Sequence, residues 1–347
     1  GETAMAAIVQ KNKRFCVVYS YIDDSGKRKQ KWETYRTLAD AKRRKAEIEH
    51  RQELGVMNVP TCKTVADLLK EYVSLYGTTT WSLSVYSSNT RLIRNYINPV
   101  IGKMNLCEIS PHILEKYYQK LLKTPAVSHV TQKRGAKASG FVQPATVRKV
   151  HSLLRSAFTQ AVKWELMEKN PALHATVPKA VPQKREVWDS ETIFLALDVC
   201  DDARLKLAIN LSFACSMRIG EILGLTWDCV DISPQSIADG TASIMIEKEL
   251  QRVDKTAMKS LEQKDVLFIF PQSSKRNKTM LVLKKPKTES SIRKVFIPKT
   301  VARQLESWKR EQERTKEALG DEYADHNLVL AHGLGSPVEQ SRITAMF

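Results

Sequence analysis

The spacing of apolar residues changes twice along this chain of 347 residues, and that change limits the folds open to it. Residues 1–60 show the pattern of short strands followed by a helix, residues 61–180 keep helical spacing almost throughout, and residues 186–347 mix both patterns. A chain of this length exceeds one typical compact domain, so two or three are expected. We therefore predict a multidomain protein divided at these boundaries.

The first segment is predicted to be a small α+β domain, a three-stranded sheet braced by one helix. FCVVYSYI is rich in β-branched and aromatic residues, DDSG is typical of a turn, and KRKQKWETYRT alternates basic with other residues. LADAKRRKAEIEHRQEL then has helical spacing, and Gly55 and Pro60 end it. Four cations on the hairpin suit phosphate contact: Lys27, Arg28, Lys29 and Lys31. A solvated charged hairpin would have the same composition, so both interpretations stay open.

The second segment is predicted to be all-α. Four runs have helical spacing; Thr64 and Ser110 are the expected N-caps of the first and third, and the longest is PATVRKVHSLLRSAFTQAVKWELM. A polar loop without periodicity precedes that longest helix. Cations on the polar faces and in this loop could lie against a duplex: Arg91, Arg94, Lys133, Arg134, Lys137, Arg148, Lys149 and Arg155. A solvated bundle surface would look the same at each of these positions.

The third segment follows the linker KAVPQKREVW and is predicted to be a mixed α+β domain. Three helical runs come first, and then four strand-like runs: ASIMIEKEL, DVLFIF, TMLVLKK and RKVFIP. A long amphipathic helix, KTVARQLESWKREQERTKEALG, comes after the strands.

Charge and cysteine content narrow the classes of partner. The net charge of +17 favours a polyanion, nucleic acid first and an anionic membrane surface second, although simple solubility remains an alternative. No stretch approaches the roughly 18 uninterrupted apolar residues of a membrane span, and no secretory signal is visible. The six cysteines include no CxxC pair, which favours reduced thiols in the cytoplasm over a zinc site or a disulfide framework.

One arginine, Arg218, is the single basic residue of the apolar stretch 211–232. A charge in such surroundings is costly unless it is paired or held for an anionic ligand. One helix is expected to end near Met217 and another to begin at Arg218, which places unpaired N–H groups and a planar guanidinium together. Glu221 shares the new helix's face and can fix the arginine's rotamer. A phosphate clamp and a structural ion pair both fit this pattern.

A second candidate is the run TMLVLKKPKTESSIRKVFIP, predicted to be a hairpin with lysines near its tip. A lysine at such a position can protonate a leaving oxygen if its pKa is tuned. An ordinary basic turn would have the same residues.

Taken together, MRIGEILGLTWDCVDI, PKTESSIRKVFIP and the helical segment before them resemble the tyrosine recombinase (phage-type integrase) family, in particular the integrases of conjugative transposons. The resemblance implies that residues 1–60 form an arm-type DNA-binding domain and residues 61–180 a helical, SAM-like core-binding domain. Residues 186–347 would be a catalytic domain that is incomplete at its C-terminus.

The resemblance also assigns roles. Arg218 would bind the scissile phosphate, Glu221 would support it, and Lys287 would be the general acid, with Lys284 and Lys285 close enough for the match to slip. The implied enzyme is a site-specific recombinase that integrates and excises a mobile element through a 3′-phosphotyrosyl intermediate. Its partner would be attachment-site duplex DNA, on which family members act as homotetramers, and no metal or cofactor is expected.

The same resemblance requires a His-x-x-Arg box and a nucleophilic tyrosine, and both should follow SRITAMF. Neither His326 nor His332 has an arginine three residues later, and Tyr323 lies before the expected box. We therefore expect a truncated, inactive fragment that still binds DNA. Two alternatives remain: a non-catalytic DNA-binding accessory or regulatory protein, and an enzyme like the type IB topoisomerases.

Overall fold

The computed structural model describes residues 6–11, 14–22, 28–53, 64–127, 140–181, 187–272, 274 and 276–346. Six residues named above lie outside these ranges: Lys27, Gly55, Pro60, Lys133, Arg134 and Lys137. The predicted DDSG turn also lies outside them. Internal contacts divide the chain into two compact units: residues 1–71, 97–142 and 146–178 form the first, and residues 72–96, 143–145 and 179–347 form the second. The three predicted domains are a functional division, and their boundaries stay a prediction.

The first unit begins with an antiparallel sheet in the order β1 (Ala7–Lys11), β2 (Arg14–Ile22), β3 (Arg28–Tyr35). Helix α1 (Leu38–Glu53) follows. Its Ala41 and Ile48 are buried against Val17 and Tyr19 of the central strand. The predicted sheet of three strands braced by one helix is confirmed.

In its described residues, the predicted helical segment contains six α-helices and two π-helical stretches, besides two short 3-10 turns. In chain order these are α2 (Val65–Glu71), a π stretch (Tyr72–Gly77), α3 (Thr78–Thr80), α4 (Leu83–Leu92), a second π stretch (Ile93–Ile97), α5 (Asn98–Ile101), α6 (Pro111–Leu122) and α7 (Pro144–Lys163). Both predicted caps are present, because the Thr64 hydroxyl accepts the Asp67 N–H at 3.2 Å and the Ser110 hydroxyl accepts the Ile113 N–H at 3.3 Å.

Helix α7 shows why this segment folds as predicted. Val147, Val150, Leu154 and Phe158 follow the helical period, and all four are fully buried. Burying a side chain of this size stabilises the fold by about 2 kcal/mol.

The described part of the second unit contains seven further helices and six strands. They are α8 (Ser190–Val199), α9 (Ala203–Cys215), α10 (Ile219–Leu223), β4 (Val230–Asp231), α11 (Pro234–Asp239), β5 (Ser243–Ile246), β6 (Glu249–Asp254), α12 (Lys255–Ser260), β7 (Val266–Ile269), β8 (Thr279–Lys284), β9 (Arg293–Phe296), α13 (Lys299–Leu319) and α14 (Gln340–Met346). The strands form two antiparallel sheets, β4-β5-β9 and β6-β8-β7. The mixed α+β prediction for this part of the chain is confirmed.

The predicted lysine hairpin is wrong in its pairing. Strand β8 pairs with β6 and β7, whereas β9 pairs with β5, so β8 and β9 are not partners. The ladder of β6 with β8 ends at Glu249 opposite Lys284, and the ladder of β5 with β9 resumes at Ile246 opposite Arg293. Between these two pairs the chain has Glu247 and Lys248 on one side and residues 285–292 on the other. This longer segment, which we call the lysine loop, is therefore an insertion between the two ladders.

No helix in the part of the chain that the structure describes has the length and apolarity needed to cross a membrane.

Candidate active site

Arg218 lies at a sharp change of direction between two helices. Helix α9 ends at Cys215, Ser216 adopts a left-handed conformation with φ 51°, and α10 begins one residue after Arg218. Gly224 is the C-cap of α10, and a Cβ atom there would lie 2.5 Å from the backbone nitrogen of Leu250, so glycine allows this helix to approach β6 closely.

The apolar neighbours of Arg218 in the sequence do not bury it. Its side chain is 71% exposed, because its apolar neighbours Met217 and Ile222 point into the core and the arginine points out of it. The buried charge is Glu221, whose side chain is 3% exposed.

The Glu221 carboxylate accepts hydrogen bonds from two arginines. Oε2 accepts the Arg218 backbone N–H at 2.9 Å and Oε1 accepts Arg218 Nη1 at 2.8 Å. Arg293 donates from Nη2 to Oε2 at 2.9 Å and from Nη1 to Oε1 at 3.2 Å. Burial alone would raise the pKa of Glu221, but the hydrogen bonds from Arg293 and Arg218 outweigh it and lower that pKa. The carboxylate is therefore charged at neutral pH and fixes both guanidinium groups.

Arg293 is a site residue that the sequence analysis missed. It is the first residue of β9, and it also donates to the Ser216 carbonyl and to the Ser291 carbonyl, each at 3.2 Å. It thus joins the end of α9, the Glu221 carboxylate and the end of the lysine loop. One signal could have found it: alternation along RKVF puts Arg293 on the same face as the half-buried Val295.

The three candidate lysines differ in their surroundings. Lys284 is 4% exposed, and its Nζ donates to Glu249 Oε1 at 2.8 Å across the β6–β8 ladder. Lys285 and Lys287 are exposed and belong to the lysine loop. Burial and pairing commit Lys284 to the sheet, whereas Lys287 is accessible to a ligand.

The three hairpin cations that the structure describes, Arg28, Lys29 and Lys31, do not form one cluster. Neighbouring residues of a strand point to opposite faces, so Lys29 and Lys31 share one face of β3 and Arg28 lies on the other. Lys31 Nζ lies 4.0 Å from Glu33 Oε1 and its side chain is 18% exposed, which reduces the charge it can offer a ligand.

The remaining described cations occupy two places. Arg148, Lys149 and Arg155 are exposed along α7. Arg91 lies near the C-terminus of α4, and Arg94 lies in the π stretch that follows it. Both line one cavity in the second unit.

One acidic cluster could be taken for a metal site. Ligand atoms of Asp228, Cys229 and Glu247 lie within 4.8 Å of one another. The Lys248 ammonium donates to Asp228 Oδ2 at 2.5 Å and lies 3.7 Å from Glu247 Oε1, so a cation of the protein already neutralises these acids. We assign no metal to the cluster.

The chain is similar in sequence to several recombination proteins. The family model "Phage integrase, N-terminal SAM-like domain" matches residues 64–122. A "Tyrosine recombinase XerC-like" protein of Caldanaerobacter subterraneus subsp. tengcongensis is 25% identical over 260 residues, which are 72% of this chain and 57% of the relative. An "Integrase" of Streptomyces ambofaciens is 21% identical over 332 residues, 94% of this chain and 72% of the relative. The chain thus spans little more than half of the first relative's length.

The fold is also similar to solved structures. The Tn1549 transposon integrase in complex with transposon right end DNA matches with a TM-score of 0.56 and 14% identity, over 79% of this chain and 73% of the other. The same integrase with a circular intermediate DNA matches with a TM-score of 0.57 and 13% identity, over 80% and 74%. Likeness at this level of identity concerns the fold, and it confirms the predicted fold class.

Proposed function

We propose that this chain, which belongs to the tyrosine recombinase family, is part of a site-specific DNA recombinase that integrates and excises a mobile element. One observation carries the proposal: an exposed guanidinium, Arg218, is oriented by a buried carboxylate, Glu221. Three residues receive roles, Arg218 and Lys287 in catalysis and Glu221 in support.

Arg218 is suited to bind the scissile phosphate. Only its Nη1 and backbone N–H are held by Glu221, and within the described residues its Nη2 and Nε have no acceptor. A fixed guanidinium with a free edge can bind two phosphate oxygens side by side. The same contact stabilises the charge that builds on phosphorus in the transition state, by several kcal/mol in a preorganised site.

Lys287 is proposed to protonate the leaving oxygen. The tyrosine hydroxyl loses its proton to solvent as its oxygen forms a bond to phosphorus, the bond from phosphorus to the 5′ oxygen breaks, and Lys287 supplies the proton that makes this oxygen a free 5′-hydroxyl. A 5′-hydroxyl of the partner duplex then gives up its proton and attacks the phosphorus of the phosphotyrosyl link, whose bond to the tyrosine oxygen breaks. The tyrosine oxygen takes up a proton and a phosphodiester is restored. Phosphodiester energy is kept in the covalent link, so the exchange requires no high-energy cofactor.

The nucleophile is not assigned to a tyrosine of this sequence, because none lies in a position that matches the family's pattern after a His-x-x-Arg box. We propose that these 347 residues bind DNA without forming the covalent link themselves. The covalent step is proposed for the protein encoded by the whole native reading frame that contains these residues.

Duplex DNA is the proposed partner. The net charge of +17 supports a polyanionic ligand, and the solved Tn1549 integrase structures contain DNA. The proposed backbone contacts are Lys27, Arg28, Lys29, Lys31, Arg91, Arg94, Lys133, Arg134, Arg148, Lys149 and Arg155. We also propose that the protein acts in the cytoplasm and assembles as a homotetramer on attachment-site DNA.

The test is covalent capture on DNA. Protein from the native reading frame is incubated with an attachment-site duplex that is nicked beside the cleavage site, and a protein–DNA adduct that survives denaturation is expected. Binding without an adduct would indicate an accessory or regulatory protein. Relaxation of supercoiled plasmid without an attachment site would indicate a topoisomerase.

A further inference from the structure

A cavity of about 640 Å³ in the second unit is lined by five cations and one acid. Arg91 and Arg94 come from α4 and the π stretch after it, and Lys255 is the first residue of α12. Arg276 and Lys278 precede β8, and the acid is Asp254. The lining residues are Arg91, Arg94, Asp254, Lys255, Arg276 and Lys278, together with neutral polar side chains. The two arginines of α4 and its extension thus share the cavity with three cations, Lys255, Arg276 and Lys278, to which the sequence alone assigned no role.

The single acid forms no ion pair with Arg91, Arg94, Arg276 or Lys278 within the described residues. Asp254 Oδ1 accepts the N–H groups of Thr256 at 2.8 Å and Ala257 at 3.3 Å, so it caps α12. Within the described ranges, no carboxylate forms an ion pair with Arg91, Arg94, Arg276 or Lys278. Like charges confined in this way repel one another, and an anionic ligand would relieve the repulsion.

Two arginine stems are held in place. Arg91 Nε donates to the Ser87 carbonyl and Arg94 Nε donates to Asn95 Oδ1, each at 3.2 Å. For their Nη groups, no acceptor is found among the residues that the structure describes. The planar Nη edges are therefore available for phosphate oxygens.

The cavity suits a phosphate backbone better than a nucleobase. Its aromatic residue, Tyr86, is 9% exposed and packs edge-on against Trp81 at a centroid distance of 6.2 Å. The ring therefore offers no open face for base stacking, whereas the cations can bind consecutive phosphates.

We propose that this cavity binds backbone phosphates of duplex DNA, and that Arg276 and Lys278 are DNA contacts alongside Arg91 and Arg94. The proposal rests on the proposed function, since it assumes that the chain binds DNA. It adds Arg276 and Lys278, just before β8, to the DNA-binding surface.

The salt dependence of DNA binding tests it with the 347-residue chain. The plot of log Kobs against log salt concentration has a negative slope, and each lost phosphate contact makes it less steep by about 0.9. R276A/K278A should therefore reduce the steepness by about two. The charge-retaining R276K/K278R should keep the parent slope. The matched control is R303A/R310A, which removes two exposed cations from α13 and should leave the slope unchanged.

An unchanged slope in R276A/K278A, or an equal loss in R303A/R310A, would overturn the proposal, provided that circular dichroism shows folded variants. If the parent chain fails to bind duplex DNA at all, the proposed function fails as well. Calorimetric titration with inorganic pyrophosphate distinguishes DNA backbone phosphates from free polyphosphate as the ligand of the cavity. If R276A/K278A abolishes the heat of pyrophosphate binding but leaves the salt dependence of DNA binding unchanged, the cavity binds free polyphosphate. That result would contradict a DNA contact.

Discussion

Arg293 and Glu221, 72 residues apart in sequence, are joined by two hydrogen bonds. Arg293 Nη2 donates to Glu221 Oε2 at 2.9 Å, and Arg293 Nη1 donates to Oε1 at 3.2 Å. Glu221 also fixes Arg218, so the orientation of the proposed phosphate clamp depends on the strand after the lysine loop. Arg293 is therefore a positioning residue that links the two halves of the proposed site.

Removing the Glu221 charge should destabilise the fold. In Glu221→Gln only one oxygen remains as an acceptor, and the amide N–H groups face guanidinium donors. We expect a loss of about 2–3 kcal/mol in the free energy of unfolding, below the largest values for buried pairs because both arginines are partly exposed. Urea denaturation followed by circular dichroism measures it.

The control is Glu306→Gln, whose exposed i,i+4 partner is Arg310. That variant should lose less than about 0.5 kcal/mol. Equal losses in the two variants would refute the special role of the Glu221 carboxylate.

Arg293→Lys tests positioning apart from charge. A lysine keeps the charge but cannot bridge two carboxylate oxygens and two carbonyls at once. In the native-frame enzyme, the rate of adduct formation at saturating DNA should fall on the order of 10–100-fold, with little change in DNA affinity. Lys294→Ala, on the next residue of β9, should change neither quantity. A loss of affinity with an unchanged rate would indicate that Arg293 binds DNA directly.

Lys284 and Lys287 should separate stability from chemistry. Lys284→Met leaves Glu249 without its partner and should cost about 1–3 kcal/mol of stability. Lys287→Ala should leave stability within about 0.5 kcal/mol and slow cleavage by about 100-fold or more.

A substrate with sulfur at the leaving 5′ position distinguishes the role of Lys287. A thiolate leaves without protonation, so this substrate should restore cleavage by Lys287→Ala. No restoration would remove Lys287 from the general-acid role.

The sheet of the first unit should lose stability in acid through Glu33. Burial would raise the pKa of Glu33, but hydrogen bonds from Arg44, Tyr19 and Tyr35 lower it from 4.5 to about 2. The unfolded chain therefore takes up a proton near pH 4.5 that the folded chain refuses until about pH 2. This contribution, on the order of 3 kcal/mol, is complete above pH 4.5 and disappears as the pH falls toward 2.

Glu33→Gln removes that pH dependence. The difference in unfolding free energy between the parent chain and this variant should be largest near neutral pH and should shrink steadily below pH 4.5. Glu47→Gln, which alters an exposed carboxylate on the same Arg44, supplies the baseline. A difference that stays constant with pH would contradict the assigned pKa shift.

Local signals in the sequence predicted the elements, and contacts between distant residues produced the exceptions. The cap at Thr64 and the apolar stripe of α7 depend on neighbours within one or two helical turns, so pattern alone identifies them. The lysine loop depends on the register between β6 and β8 and between β5 and β9, which a local pattern does not specify.

The candidate site was predictable to a similar extent. Arg218 and Glu221 are three residues apart, and their contact follows from helical spacing. Arg293, in contrast, contacts the same carboxylate from 72 residues away in the sequence. The exposure of Arg218 depends on how α9 and α10 pack. Both are tertiary properties that composition and period do not contain.

The central claim, that Glu221 holds Arg218 as a phosphate clamp, is tested most directly by Arg218→Ala in the native-frame enzyme. Because the side chain is 71% exposed, the variant should fold normally and bind attachment-site DNA close to the parent affinity. Covalent adduct formation on the nicked duplex should fall by a factor on the order of 100–1,000. Adduct formation at the parent rate by a folded, DNA-bound Arg218→Ala enzyme would contradict the account.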